Sequence, residues 1–402
     1  MAGLLPVDEA LARVLDGVGP LPAETVDLRE AAGRVLAADI VARRAQPPFT
    51  TTAMDGYAVR AADIATVPVR LSVIGESAAG KRFAGVVGAG EAVRIFTGAP
   101  LPEGADTILI QENAIDCGDR LVEAQESAAP GKHIRRAGLD FEAGDVLLPA
   151  GRALDPAALS LAAAANHPRL AVVRRPLVAI LATGGELVAP GAKPAADQIV
   201  ASSGFGIAAL VREAGGTVLD LGIEPDDLPG IGAAIRRARD ARADVIVTLG
   251  GASVGDHDLV GKALADEGMT PGFWKVAMRP GKPLMSGRFG ETRVLGLPGN
   301  PVSSLVCGHL FLKPLVAALA GKPSAADLRE AVLGTAMKAN DHRQDYVRAA
   351  VERHGDGLVA TPFPVQDSSM LRTLTAANAL IVRPPHAPPA AAGERCRVMM
   401  LR

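Results

Sequence analysis

The sequence predicts a multidomain α/β plus β protein. A doubly wound α/β domain is expected over 173–321, a β domain inserted at 44–142, a composite helical domain from 1–43 and 143–172, and a C-terminal β barrel over 322–402. Three observations carry this. From Leu177 onward, short apolar runs alternate with helical stretches, the pattern of a parallel sheet covered on both faces. Before that, strand-like runs are punctuated at short intervals by Gly and Pro, as in a small β domain. Beyond Gly321-Lys322-Pro323 the chain is Pro-rich, again with short strand-like runs.

Composition sets the bounds. A chain of 402 residues exceeds one ordinary domain. With 49% hydrophobic and 21% charged residues it can bury a large core, which excludes global disorder. Aromatics at 3% give no row of rings for stacking single-stranded bases, and a net charge of −2 gives no global field for nucleic acid or an acidic membrane. Any anion site must be a local cluster. Cys117, Cys307 and Cys396 are odd in number and far apart, so neither a disulfide framework nor a zinc spacing is expected. The N-terminus lacks a basic region followed by an apolar one, and no apolar run approaches the roughly 20 residues of a membrane span. A cytoplasmic protein is expected, with no nucleic-acid partner and no membrane.

In chain order, Val7–Leu15 has apolar residues at helical spacing with acids in its first turn, and 28–38 reads as a second helix. Pro47-Pro48 forces extended backbone. Strands are expected at 57–59, 69–74, 91–96, 107–111 and 120–123. Asp55-Gly56 reads by composition as a surface turn, and the basic loop at 132–145 as solvated surface. Asp155 followed by Pro156 starts a helix with good capping chemistry. The α/β pattern follows: strand 177–182, helix 204–214, strand 217–221, helix 228–241, strand 245–249, helix 259–267, strand 292–297 and helix 302–319. The barrel strands are expected at 346–351, 358–361, 379–382 and 397–401.

The stretch from Thr248 to Pro301 carries the chemistry. Its runs T-L-G-G-A-S-V-G-D-H-D, M-R-P-G-K-P and L-G-L-P-G-N-P are loops attached to short apolar strands. In an open α/β sheet such loops gather at one edge, where ligands bind. They offer Asp256, His257, Asp258, Arg279, Lys282 and Asn300, with backbone N–H groups freed by glycine. Ser303 and Ser304 stand near a helix N-terminus, a natural anion seat. The set suits a phosphorylated ligand, with or without a metal.

Seven stretches in order, spanning nearly the whole chain, resemble the molybdopterin molybdenumtransferases, the MoeA family that includes the gephyrin E domain. They are A-M-D-G-Y-A-V (53–59), R-I-F-T-G-A-P-L-P (94–102), H-I-R-R-A-G-L-D (133–140), A-T-G-G-E-L (182–187), G-G-A-S-V-G-D-H-D (250–258), F-W-K-V-A-M-R-P-G-K-P (273–283) and L-P-G-N-P-V-S-S (297–304). The resemblance implies a molybdopterin-binding α/β domain and an elongated homodimer. Its active site would lie between the α/β domain of one subunit and the inserted β domain of the other. It implies insertion of molybdate into adenylated molybdopterin with release of AMP, assisted by a divalent cation, usually Mg²⁺. Candidate partners are a molybdopterin adenylyltransferase and apo-molybdoenzymes.

Carried onto this chain, the resemblance implies catalytic roles for Asp55, Thr97, Asp140, Lys275 and Lys282. Substrate contacts fall on Arg135, Arg136, Thr183, Gly250, Gly251, Ser253, Arg279, Pro298, Gly299, Asn300 and Ser303. Metal-binding or oxygen-orienting carboxylates fall on Glu186, Asp226 and Asp258. Lysine suits such anions as a point charge and arginine as a fork. Two departures stand out. The family commonly has G-D-E-L where this chain has Gly185 in place of the acid, and D-S-N or D-T-N where it has Ala201-Ser202-Ser203. They keep open a molybdopterin-binding carrier or scaffold paralogue with weak or no turnover, and pterin adenylylation is a further alternative.

Overall fold

A computed structural model of the chain describes residues 4–251 and 259–402. It divides into two compact units. Unit 1 comprises Met1–Glu24, Gly33–Val35 and Val172–Arg402; unit 2 comprises Thr25–Ala32 and Leu36–Ala171.

The first helix, α1 (Val7–Leu15), belongs to unit 1. Val7, Ala10 and Val14 recur at helical spacing and are buried in its largest core. The helix expected over 28–38 does not form. Leu28–Glu30 makes one 3₁₀ turn, opened by the Asp27 carboxylate accepting the Arg29 N–H at 3.0 Å. Gly33 then turns left-handed at φ +68°. Leu36 and Ala37 give their N–H groups to Arg152 O and Ala171 O, each at 3.0 Å. The Asp27 turn, the left-handed glycine and the distant acceptors taken by the Leu36 and Ala37 amides outweigh the helical composition of 28–38.

Unit 2 is built on strands β1 (Thr51–Thr52), β2 (Gly56–Val59), β3 (Val69–Ser77), β4 (Glu91–Ile95), β5 (Thr107–Ile110), β6 (Ala114–Gly118), β7 (Leu121–Ala124) and β8 (Ile134–Arg135). Six form one sheet in the order β5-β2-β4-β3-β7-β6, while β1 pairs with β8. Its faces are covered by Val59, Ile64, Leu71 and Leu109 on one cluster and by Val93, Ile95 and Ile108 on another. Helix α2 (Pro156–Ala164) starts as expected, with the Asp155 carboxylate accepting the Ala158 N–H at 2.8 Å.

Unit 1 continues with β9 (Leu177–Thr183), α3 (Ser203–Glu213), β10 (Thr217–Glu224), α4 (Leu228–Asp240), β11 (Val245–Leu249), α5 (Leu259–Asp266), β12 (Thr270–Trp274), β13 (Met278–Arg279), β14 (Met285–Phe289) and β15 (Thr292–Leu297). The sheet order is β10-β9-β11-β15-β14-β12. The first four strands are parallel; β14 and β12 add an antiparallel edge that the sequence pattern did not announce. Alternate residues of β9 and β11 face opposite layers. Val178, Ile180, Val245 and Val247 pack with α1 and α3, whereas Ala179, Leu181 and Ile246 pack under α4 and α5. This is the expected double winding.

A continuous helical stretch follows, α6 (Pro301–Cys307), a π-turn at Gly308–Leu312 and α7 (Lys313–Leu319). At 19 residues and mean hydropathy 1.7 it is long and apolar enough to cross a membrane, contrary to expectation. It is 78% buried, with Phe311, Leu312, Leu315 and Val316 inside the core, so it is a core helix.

The remaining strands, β16 (Leu328–Leu333), β17 (Gln344–His354), β18 (Gly357–Pro362), β19 (Ala379–Arg383) and β20 (Arg395–Met400), run β17-β18-β16-β20-β19. β19 pairs back onto β17, so the sheet closes into a five-stranded barrel around Ala349, Ala360, Ile381 and Val398. β13 extends β17 outside the ring.

Candidate active site

The register of unit 1 sets its site. Ala182 of β9 pairs with Leu249 of β11, which pairs with Leu297 of β15. The three strands therefore end together, and the loops Thr183–Glu186, Gly250-Gly251 and Pro298–Asn300 emerge side by side at the carboxyl edge. They line a cleft of about 770 Å³ that collects Thr183, Glu186, Asp226, Gly250, Gly251, Pro298, Gly299 and Asn300. Eight of the residues singled out from sequence thus meet in one place. Ser253 and Asp258, like Asp256 and His257, lie outside the described residues.

Glycine is needed where the first two loops touch. Gly250 has φ +101°, and a Cβ there would lie 2.6 Å from Thr183 O. Its own N–H is used by Leu297 O at 3.1 Å, so it is not a free donor as expected. Gly251 and Gly299 keep N–H groups without a protein acceptor among the described residues. Two carboxylates stand at the rim. Glu186 folds over Gly184, where a Cβ would come within 2.5 Å of its Oε2, and Asp226 accepts the Gly185 N–H at 3.4 Å. Hard oxygen donors on one cleft fit a divalent cation that takes one or two carboxylates and completes its shell with substrate phosphate. No cluster of three metal-ligating side chains occurs among the described residues.

Helix α6 starts at this cleft, with Pro301 at its first position and no side-chain bond from Asn300. The Val302 N–H is already taken by Ser368 O at 3.1 Å. Ser303 is buried at 5% exposure and is not among the cleft-lining residues. Lys275, Arg279 and Lys282 also lie outside that lining. Lys275 adopts φ +69°, and Lys282 is exposed. Neither ammonium has a partner among the described residues. Arg279 is engaged by the Asp345 and Asp341 carboxylates.

Sequence reasoning missed Ser369 and Leu371, which reach the same cleft from the barrel, and Ser202 beside the departures at Ala201 and Ser203. The signal for Ser369 was the run Asp367-Ser368-Ser369, a turn in which the Asp367 Oδ1 accepts both the Ser369 N–H at 2.8 Å and its hydroxyl at 2.5 Å.

Unit 2 gathers the other predicted residues. β1 pairs with β8, Ala53 N–H bonds His133 O at 2.8 Å, and Gly98 N–H bonds Thr52 O at 3.0 Å. These bonds lace together the loops that carry Asp55, Thr97 and Arg135. Arg136 and Asp140 follow, exposed, with the Asp140 N–H tied to Gln46 O at 2.9 Å. Asp55 Oδ1 accepts the Thr97 N–H and the Thr97 hydroxyl, each at 2.7 Å. Those bonds, the backbone one foremost, hold its carboxyl below the ordinary carboxylate range, and the Arg94 guanidinium adds to the effect. Arg94, which the sequence reading passed over, sits 5.0 Å from the centroids of both Tyr57 and Phe96 and bonds Gly56 O at 3.0 Å. A depressed pKa means that Asp55 stays ionised as pH falls through the usual carboxylate range. In Thr97→Val its titration is expected to move upward, because the hydroxyl bond is lost; carboxyl ¹³C shifts followed against pH would show it.

Residues 5–166 match the MoeA N-terminal region (domain I and II), 179–318 a probable molybdopterin binding domain, and 330–401 the MoeA C-terminal region (domain IV). Molybdopterin molybdenumtransferase 2 of Mycobacterium tuberculosis is 38% identical over 383 residues, covering 93% of this chain and 94% of that protein. The chain belongs to the molybdopterin molybdenumtransferase family. The Bacillus subtilis molybdopterin molybdenumtransferase is 34% identical over 99% of this chain and 94% of its own length. A crystal structure of a molybdopterin biosynthesis MoeA protein from Pyrococcus horikoshii superposes with a TM-score of 0.84 at 30% identity, covering 100% of both chains. The α/β sheet, the sheet of unit 2 and the closed barrel are thus the architecture of this family.

Proposed function

We propose that this member of the molybdopterin molybdenumtransferase family inserts molybdate into adenylated molybdopterin, forming the molybdenum cofactor and releasing AMP. The observation that carries this reading is the convergence of the Thr183–Glu186, Gly250-Gly251 and Pro298–Asn300 loops on one cleft, with the family's other motif residues laced together around Asp55. Gly251 and Gly299 offer backbone donors to phosphate oxygens. Lys275 and Lys282 supply unpaired positive charge for molybdate and for charge on the leaving phosphate. Asp55, held in place by two hydrogen bonds from Thr97, orients the reacting oxygens, with Arg135, Arg136 and Asp140 carried on the segment whose strand β8 pairs with β1. Glu186 and Asp226, with Asp258 by motif, would hold a Mg²⁺ ion, which would neutralise phosphate charge when bound.

The reading extends to a cytoplasmic homodimer in which the Asp55 cluster of one copy serves the cleft of its partner. Purified protein incubated with adenylated molybdopterin, Mg²⁺ and molybdate is expected to release AMP only when molybdate is present. Tight binding of adenylated molybdopterin without release would instead support a carrier, and would point to Gly185, Ala201 and Ser203. Of these, Ala201 and Ser203 line the cleft.

A further inference from the structure

We propose that Asp345 is a positioning residue for this reaction: it acts through Arg279 to hold the loop that carries Lys282. The proposal deepens the transferase reading and rests on it for its kinetic arm. Arg279 is the sort of residue that an anion site would recruit, but its guanidinium is already committed. It bonds the Asp345 carboxylate and lies 3.6 Å from that of Asp341. Asp345 is only 6% exposed. Moving Arg279 to a substrate anion would leave a buried carboxylate without its counter-charge, which is strongly unfavourable. Asp341 in turn pairs with Arg343 at 2.7 Å. Two arginines and two aspartates therefore balance, and the cluster has no net charge to offer an anion.

The backbone shows what the pair does instead. Met278–Arg279 adds to the barrel strand at Gln344-Asp345, and the Gln344 N–H bonds Ala277 O at 2.8 Å. Immediately after this splint, Gly281 turns at φ +112° against Cys307, where a Cβ would sit 2.5 Å from Sγ. Lys282 O then accepts the N–H groups of Val276 and Leu284, both at 3.0 Å. The Lys282 backbone is thus fixed by one ion pair to the barrel, one close packing contact and two hydrogen bonds. Lys282 and Lys275 remain the cations of this stretch without partners among the described residues. Catalytic charge must be held to within a fraction of an ångström, so an anchor that touches no substrate still sets its performance.

The test uses the full chain with Asp345→Asn, which removes the charge and keeps the shape, and with Arg279→Lys as the conservative partner. In Asp345→Asn the amides of Val276 and Leu284 are expected to exchange with solvent about tenfold faster or more, as an anchored loop loosens. The KM for molybdate is expected to rise about tenfold, while that for adenylated molybdopterin stays unchanged. Arg279→Lys, which keeps one charged contact to Asp345, should recover most of both values. Unchanged exchange at Val276 and Leu284 would overturn the proposal. So would a fall in the molybdate KM in Asp345→Asn, because a released Arg279 would then be acting as an anion ligand. The exchange arm needs no turnover. A wild-type protein that releases no AMP would therefore count against the transferase reading alone.

Discussion

Lys282→Ala is expected to lower molybdate-dependent AMP release by about 100-fold or more, the scale on which removal of one preorganised charge-stabilising donor acts. The argument starts from charge. Molybdate and phosphate are both anionic, yet the chain as a whole carries −2. Attraction must therefore come from cations that no acidic side chain has neutralised. Of the three cations in 273–283, Arg279 is paired with Asp345 and Asp341, while Lys275 and Lys282 are not paired among the described residues. Lys282 is exposed, so truncating its side chain removes no core packing, and the melting temperature should stay within a degree or two of the parent. Lys282→Arg keeps charge but replaces a compact ammonium with a planar fork, and should restore only part of the rate. Steady-state kinetics with a thermal melt on each variant would test this. Near-normal turnover in Lys282→Ala would remove Lys282 from the site.

The elements of the α/β sheet were legible in the sequence because each fully buried strand is a short apolar run stopped by glycine. Val245–Leu249 is buried at every position, and Gly250 ends it. Elements whose pattern is set by distant partners were not legible. Met285–Phe289 contains Ser286, Gly287 and Arg288, yet it is a strand because Thr292–Leu297 and Thr270–Trp274 pair with it. The stretch 28–38 has helical composition, but its amides find acceptors far along the chain. The same division holds at the site. Gly250, Gly251, Pro298, Gly299 and Asn300 were found because loop chemistry is local, and the register of three parallel strands does the rest. Arg279 looked like an anion ligand because the residue that neutralises it lies 66 positions away on a barrel strand. Ser369 came into view only with the fold, since nothing in Asp367-Ser368-Ser369 says which cleft the turn will face.

Asp55→Ala is expected to be as damaging as Lys282→Ala, by about 100-fold or more in AMP release, because it removes a carboxylate that two hydrogen bonds from Thr97 hold in one orientation. The two variants together test the homodimer. Lys282 belongs to unit 1 and Asp55 to unit 2. Suppose each site joins the cleft of one copy to the Asp55 cluster of its partner. A mixed dimer of Lys282→Ala and Asp55→Ala chains then carries both lesions in one site and none in the other. With random mixing half the dimers are mixed, so about a quarter of all sites would be intact and about a quarter of wild-type activity should return. Suppose instead that each chain completes its own site. Every site then carries one lesion, and the mixture stays as inactive as its parents. Coexpression of the two variants with different affinity tags, tandem purification of the mixed species and AMP-release assays would decide the matter. Purification raises the expected recovery in the shared-site case from about a quarter to about a half. An inactive mixed dimer would leave the assignment of Lys282 and Asp55 standing and would confine the site to a single chain.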